Sequence, residues 1–161
     1  MRFITLLLSA IFIYSTAHAS IIELNPEETR FVAMRANKVN ARSGPNIRYP
    51  IEWIYQQRNH PVEIIAEYEY WRKIRDHEGT VSWVRKNLLT NNRYALVVEV
   101  GENNIYNKDS LTSEVIAKAE NGTVAKIKKC TQTFCLLEFE NGISGWMQRS
   151  ILYGIKKGEE I

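Results

Sequence analysis

The segment YWRKIRDHEGTVSWVRKNLL, residues 70–89, has the pattern of a β-hairpin and returns 63 residues later as TFCLLEFENGISGWMQRSIL, residues 133–152. The two copies share an aromatic residue, a turn glycine and a tryptophan at the same spacing. These are Trp71, Gly79 and Trp83 in the first copy and Phe134, Gly142 and Trp146 in the second. A repeat of this kind predicts one supersecondary unit used twice. Because both aromatic positions recur, we expect Trp71, Trp83, Phe134 and Trp146 to be structural core residues.

The amino terminus has the three-part layout of a secretory signal peptide. Arg2 supplies a positive charge, Phe3–Tyr14 is apolar, and Ala17-His18-Ala19 is a small-x-small cleavage motif. An apolar run of 12 residues is shorter than the roughly 20 that cross a bilayer. We therefore expect export to the periplasm or cell envelope with cleavage after Ala19, and an uncleaved anchor is the alternative.

The remaining chain predicts short β-strands and no helix. Strand-like runs occur at Phe31–Arg35, Ile51–Tyr55 and Val62–Tyr68, and the hairpin adds two more, whereas Val39–Pro45 is rich in turn residues. We therefore expect an all-β chain with two small barrels in tandem after the signal peptide. The expected divisions are a signal peptide at 1–19, a tether at 20–30, barrels at 31–92 and 93–155, and a tail at 156–161.

Charge is unevenly distributed, although the net formal charge is only +3. Nine of the twelve cations between Ser20 and Ala95 are arginines, whereas seven of the eight between Leu96 and Ile161 are lysines. Nine aromatic residues lie in the first of these halves and five in the second. Arginine suits bidentate contact with carboxylates and stacking on aromatic rings. The first half is therefore the better candidate for ligand binding.

Several function classes are disfavoured. Two histidines, His60 and His77, remain after the signal peptide, and both fall in predicted turns. No nucleophile is paired with a base, and two cysteines without matching histidines do not form a zinc site. The small net charge and export argue against nucleic acid, and no amphipathic helix or lipidation cysteine indicates membrane binding. We expect a protein without catalytic activity, metal or cofactor.

The order of motifs resembles bacterial SH3-like (SH3b) domains, especially the exported tandem form of Gram-negative bacteria. The first copy carries Val39-Asn40-Ala41-Arg42-Ser43-Gly44-Pro45, Tyr49-Pro50-Ile51, Pro61–Ala66, Trp71-Arg72-Lys73-Ile74 and Gly79…Trp83-Val84. The second carries Cys130…Cys135…Gly145–Gly154, lacks the Arg-Ser-Gly-Pro turn and has Phe134 where tryptophan is usual. The resemblance implies small bent barrels that attach to cell-wall material or to a partner protein.

The repeat predicts a disulfide between Cys130 and Cys135. In the repeat register these residues correspond to Glu67 and Arg72, on either side of the turn between two strands. Opposed hairpin positions have the Cβ separation that a disulfide requires, and an exported chain matures where disulfides persist. One copy would then close this hairpin with a covalent bond and the other with an ion pair.

Two binding hypotheses remain, beside a purely structural role. In the first, the stem peptide or the glycan of peptidoglycan binds the first barrel. Stem-peptide carboxylates would contact Arg42, Arg48 or Arg72, and a shallow groove would be lined by Tyr49, Trp53 and Tyr55. In the second, the same groove holds an extended peptide of an envelope protein. Trp53 and Tyr49 are the better ligand candidates, because the second copy has Val115-Ile116-Ala117 and no aromatic on its corresponding strand.

Overall fold

The computed structural model describes residues 19–161, and all structural statements below concern that part of the chain. The signal-peptide prediction rests on residues that lie outside it. The described chain contains β-strands, turns and two short 3-10 segments at Lys86–Leu88 and Arg149–Ile151. Within it no helix has the length and apolar character needed to span a bilayer.

The first barrel contains eight strands. They are β1 (Ile22–Glu23), β2 (Arg30–Met34), β3 (Val39–Arg42), β4 (Ile51–Tyr55), β5 (Pro61–Tyr68), β6 (Trp71–Arg75), β7 (Val81–Arg85) and β8 (Leu89–Thr90). The antiparallel order is β4-β3-β7-β6-β5-β2-β8, and β1 pairs with β5. Alternate strand residues turn inward, so the core contains Met34, Val39, Val62, Ile74 and Val84, all fully buried or nearly so.

The second barrel repeats this arrangement with seven strands. They are β9 (Tyr94–Val97), β10 (Glu102–Tyr106), β11 (Val115–Glu120), β12 (Val124–Cys130), β13 (Phe134–Glu138), β14 (Ser144–Gln148) and β15 (Leu152–Tyr153). Their order, β11-β10-β14-β13-β12-β9-β15, matches that of the first barrel strand for strand. The prediction of an all-β chain with two small barrels in tandem is confirmed.

The irregularities of the two sheets also coincide. The register shifts between Ile64 and Ala66 in the first barrel and between Ile127 and Lys129 in the second. A second pair of shifts lies after Ala41 and after Ile105. A β-bulge bends its strand and increases the local twist, so each short sheet curls around its own core at the same two places.

Three segments differ from their sequence-based expectation. Val39–Arg42 forms strand β3, not a turn, because Val39 and Ala41 alternate into the core and the turn begins only at Ser43. The expected tether contains β1, whose Ile22 and Glu23 pair with Glu67 and Ala66. The expected tail folds back, since the Ile161 carbonyl accepts a hydrogen bond from Cys130 N.

The barrels are joined by side chains as well as by the chain. Tyr153 of β15 donates its hydroxyl hydrogen to the Arg75 carbonyl at 2.8 Å, and its ring meets Phe31 edge-on at 5.0 Å. Gln57 Nε2 donates to the Gly122 carbonyl at 3.1 Å. The second barrel therefore closes one end of the first, on the side of the β6–β7 turn.

Candidate ligand-binding surface on the first barrel

Exposed apolar side chains of the first barrel lie along strand β4 and the loop before it. Tyr49 and Trp53 are each 47% exposed, and Ile47, Ile51 and Ile54 are also exposed. β4 lies at the end of the sheet order, so within residues 19–161 one of its edges has no neighbouring strand. Clustered exposed apolar side chains on a small barrel indicate an interaction surface.

Hydrogen bonds hold the loop Ser43–Pro50 in place. Arg42 Nη1 donates to the Tyr49 carbonyl at 2.7 Å, and Ser43 N donates to the Pro50 carbonyl at 3.2 Å. Arg48 N donates to Asn46 Oδ1 at 3.0 Å. These bonds fix the backbone next to Tyr49 and leave the Arg48 side chain exposed.

Gly44 seats the Tyr49 ring. A Cβ placed on Gly44 would lie 2.7 Å from three carbons of that ring, well inside the roughly 3.5–4.0 Å of ordinary carbon contact. The ring therefore lies directly over the glycine backbone. This explains why the third residue of the Arg-Ser-Gly-Pro turn has no side chain.

Trp53 packs beside Tyr55, whose hydroxyl is held by the buried Asp76. The ring centroids of Trp53 and Tyr55 are 6.5 Å apart in an edge-on arrangement, and Tyr55 donates to Asp76 Oδ2 at 3.0 Å. The other Asp76 oxygen accepts from Glu78 N and Thr80 N. Burial, followed by the nearby Asp76 charge, raises the pKa of Tyr55. Tyr55 is only 5% exposed, so it supports the surface and does not line it, contrary to the sequence-based expectation.

Arg72 is committed to the fold. Its guanidinium pairs with Glu67 at 3.2 Å and donates to the Glu69 and Trp71 carbonyls at 3.1 and 2.8 Å. The side chain is 14% exposed. The expected ion pair with Glu67 is present. The role of Arg72 in ligand contact stays a prediction, and its guanidinium already bonds partners inside the hairpin.

The predicted core aromatics differ in burial. Trp71 and Trp83 are buried and form a cluster with Ala66, while the Arg85 guanidinium lies 5.9 Å from the Trp71 ring centroid. Phe134 is buried against Tyr106 in an edge-on contact. Trp146 is only half-buried. The second barrel thus has a tryptophan at the position of Trp83, but this tryptophan is less buried.

Cys130 and Cys135 form the predicted disulfide. They are paired directly across β12 and β13, as Glu67 and Arg72 are across β5 and β6. This confirms both the pairing and the register transfer that predicted it. The same hairpin is thus closed covalently in one barrel and by charge in the other.

The corresponding edge of the second barrel is apolar but not aromatic. Val115 and Ile116 of β11 are exposed at 44% and 41%. β11 ends its sheet as β4 does. Tyr49 and Trp53 therefore distinguish the two edges. The sequence analysis chose these two residues because the second copy has no aromatic on its corresponding strand. The exposed isoleucines of the first edge, Ile47 and Ile51, gave no separate sequence signal.

Comparison with known proteins agrees with this architecture. The family model described as "Bacterial SH3 domain" matches residues 35–91 and again residues 99–154. No curated protein matches the chain.

Solved structures to which the chain has some similarity include two from Trichomonas vaginalis, NlpC2 and NlpC1. Both are 17% identical, with TM-scores of 0.34 and 0.36; the alignments cover 86% and 95% of this chain and 49% and 53% of theirs. An NlpC/P60 family protein from Bacillus cereus ATCC 10987 is 11% identical with a TM-score of 0.35, over 81% of this chain and 58% of that one. The chain thus spans about half the length of these proteins.

Proposed function

The chain belongs to the bacterial SH3 domain family, and on this premise we propose that it is an exported, non-catalytic binding protein that engages cell-wall peptidoglycan through the β4 edge of its first barrel. The observation that carries the proposal is the exposure of Tyr49 and Trp53 on that edge. Large aromatic residues dominate binding energy where they become buried on association.

Charge on this edge suits an acidic peptide. Arg48 is exposed beside Tyr49, and Arg42 is partly exposed at the base of the loop. Stem peptides of peptidoglycan carry carboxylates, which arginine binds with geometric specificity. The free edge of β4 also offers main-chain donors and acceptors to an extended ligand backbone. Aromatic contact, charge and strand pairing would then act on one ligand segment.

The bonding and positions of the cysteines and histidines support a binding role. Both cysteines are joined to each other, so neither is a thiol nucleophile. His60 is buried in the first barrel, and His77 lies on the exposed β6–β7 turn. Within residues 19–161 no group of three His, Cys, Asp or Glu side chains is placed to hold a metal ion.

A second candidate is an adaptor that binds an extended peptide of an envelope protein. It is favoured by the same unpaired β4 edge, because strand addition requires only an extended backbone and pockets for alternate side chains. The two candidates use one surface and differ in ligand.

Co-sedimentation of residues 20–161 with purified insoluble peptidoglycan tests the proposal. We expect the wild type to sediment with the sacculi and Trp53→Ala or Tyr49→Ala to bind about tenfold more weakly, since a central aromatic anchor contributes about 1–2 kcal/mol or more. Tyr70→Ala is the matched control, because Tyr70 is an exposed aromatic outside the β4 edge. Failure of the wild type to sediment would refute peptidoglycan and direct attention to crosslinking of an envelope partner.

A further inference from the structure

A cleft of about 930 Å³ lies between the two barrels, away from the β4 surface residues. The loop between β4 and β5, residues 56–59, forms one wall. The open end of the second barrel, next to the β13–β14 turn, forms the other. Clefts of several hundred Å³ at domain boundaries are common ligand sites. Neither barrel alone would form this one.

Repeat positions explain why the second barrel is open here. Ala119 occupies the register position that Tyr55 has in the first barrel, paired with Asn103 as Tyr55 is with Val39. Thr123 stands in the place of His60, directly before β12 as His60 is before β5. Two large rings are thus replaced by small side chains, and the space they would fill is part of the cleft.

The floor of the cleft is apolar where the first barrel is polar. Phe139 occupies the position of Asp76, and Ile143 that of Thr80, with the hydrogen bond from Phe139 N to the Ile143 carbonyl replacing that from Asp76 N to the Thr80 carbonyl. Phe139 and Ile143 both line the cleft. In the first barrel Tyr153 lies at this end, where its hydroxyl donates to the Arg75 carbonyl. In the second barrel Phe139 is 7% exposed and Ile143 is partly exposed.

Side-chain amides surround the floor. Those that line the cleft are Asn37, Gln56, Gln57, Asn59 and Asn141. An amide has two donor hydrogens and an acceptor oxygen. Part of this capacity is used inside the protein, since Gln57 bonds the Gly122 carbonyl and His60 Nδ1, and Asn141 Oδ1 accepts from Ile143 N. Four of the five belong to the first barrel, so they face the apolar floor from across the cleft.

The charges of the lining are balanced. Lys118 is paired with Glu102 at 2.7 Å, and Glu138 with Lys128 at 2.9 Å. The other charged lining residues are two cations, Arg58 and Lys126, and two carboxylates, Glu120 and Glu140. The lining therefore offers no net charge to attract a carboxylate, phosphate or ammonium group.

We propose that this inter-barrel cleft binds a segment of a neutral oligosaccharide. Sugar rings present apolar C–H faces that pack on a floor such as Phe139 and Ile143, and hydroxyl groups that both donate and accept, as amides do. The inference goes beyond the β4 surface, since it concerns a separate site with a different ligand chemistry, and it does not depend on that surface binding peptidoglycan.

Titration of ¹⁵N-labelled residues 20–161 with chitotetraose tests the proposal, and cellotetraose shows whether N-acetyl groups contribute. We expect saturable shifts at residues 56–59, 117–126 and 138–143 with a dissociation constant of about 1 mM or tighter. Ala119→Tyr, which restores the ring of the first barrel, should weaken binding about tenfold or more. Gln56→Ala and Asn141→Ala, on exposed side chains, should each weaken it about fivefold without unfolding.

Trp53→Ala is the matched control and should bind the saccharide as the wild type does, which separates this site from the β4 surface. Three results would overturn the proposal. These are no shift at about 10 mM of either saccharide, shifts centred on the β4 edge, or tighter binding of the charged peptide Ala-Glu-Lys-Ala in the cleft. A Gln56→Ala variant with unchanged affinity would also contradict it.

Discussion

Acidification should destabilise the protein through His60. His60 is buried in the first barrel, and its ring centroid lies 5.6 Å from that of Tyr55 and 5.7 Å from that of His77. Its Nδ1 donates to Gln57 Oε1 at 3.1 Å, which leaves Nε2 buried and, among residues 19–161, without a hydrogen-bond partner. A proton on Nε2 would therefore place a charge where no acceptor meets it.

Burial, and then the neighbouring His77, lower the pKa of His60 from 6.5 to about 4. The unfolded chain takes up this proton near pH 6.5, while the folded chain takes it up only near pH 4, so the unfolded state binds more protons between these values. The free energy of unfolding should therefore fall as pH decreases through this window. The loss from this one group is about 2 kcal/mol at pH 5 and about 3 kcal/mol at pH 4.

Urea denaturation at about pH 7.5 and about pH 5 measures this loss. His60→Gln, which cannot titrate, should lose about 2 kcal/mol less than the wild type between the two conditions. His77→Gln is the matched control: its side chain is exposed, and most of the wild-type loss should persist because burial is the largest cause. Equal losses in the wild type and His60→Gln, or a His60 pKa near 6.5 by NMR titration, would refute the reasoning.

Three further outcomes are expected. Gly44→Ala should displace the Tyr49 ring and weaken sacculus binding about as much as Tyr49→Ala, while stability by urea denaturation changes by less than about 1 kcal/mol; unchanged binding would contradict the seating of the ring. Replacing Cys130 and Cys135 together by serine should lower the free energy of unfolding by about 2 kcal/mol, the value for so short a loop, and a loss of less than about 0.5 kcal/mol would show that the bond adds nothing beyond an exposed ion pair. Tyr153→Phe removes one hydrogen bond between the barrels and should cost about 1 kcal/mol in the same assay; a stability equal to that of the wild type would show that the contact is not formed.

The part of the fold that depends on local pattern could be predicted from the sequence. Hairpin spacing gave the repeat, and the repeat placed Cys130 opposite Cys135 because register is transferred residue by residue. Strand β3 could not be predicted in the same way, since four residues followed by Ser-Gly-Pro carry too short an alternation to outweigh the turn signal. Its strand character comes from Val39 and Ala41 entering a core that the sequence does not show.

The candidate site was only partly predictable for a similar reason. The strand predicted at Ile51–Tyr55 carries both Trp53 and Tyr55, and the groove prediction included both residues. The structure separates them because Tyr55 reaches Asp76 across the barrel. A contact between residues 21 positions apart leaves no mark in local composition. Arg72 was likewise predicted to contact a ligand because of its charge. Its hydrogen bonds to the Glu69 and Trp71 carbonyls have no counterpart in the sequence pattern.

The contact between Tyr153 and the first barrel has a practical consequence for dissecting the protein. A fragment ending near Asn91 would lack the ring that lies edge-on against Phe31. It would also leave the Arg75 carbonyl without the hydroxyl that it meets in the intact chain. The isolated barrels are therefore expected to melt differently from the intact protein, and ligand titrations should use the intact chain.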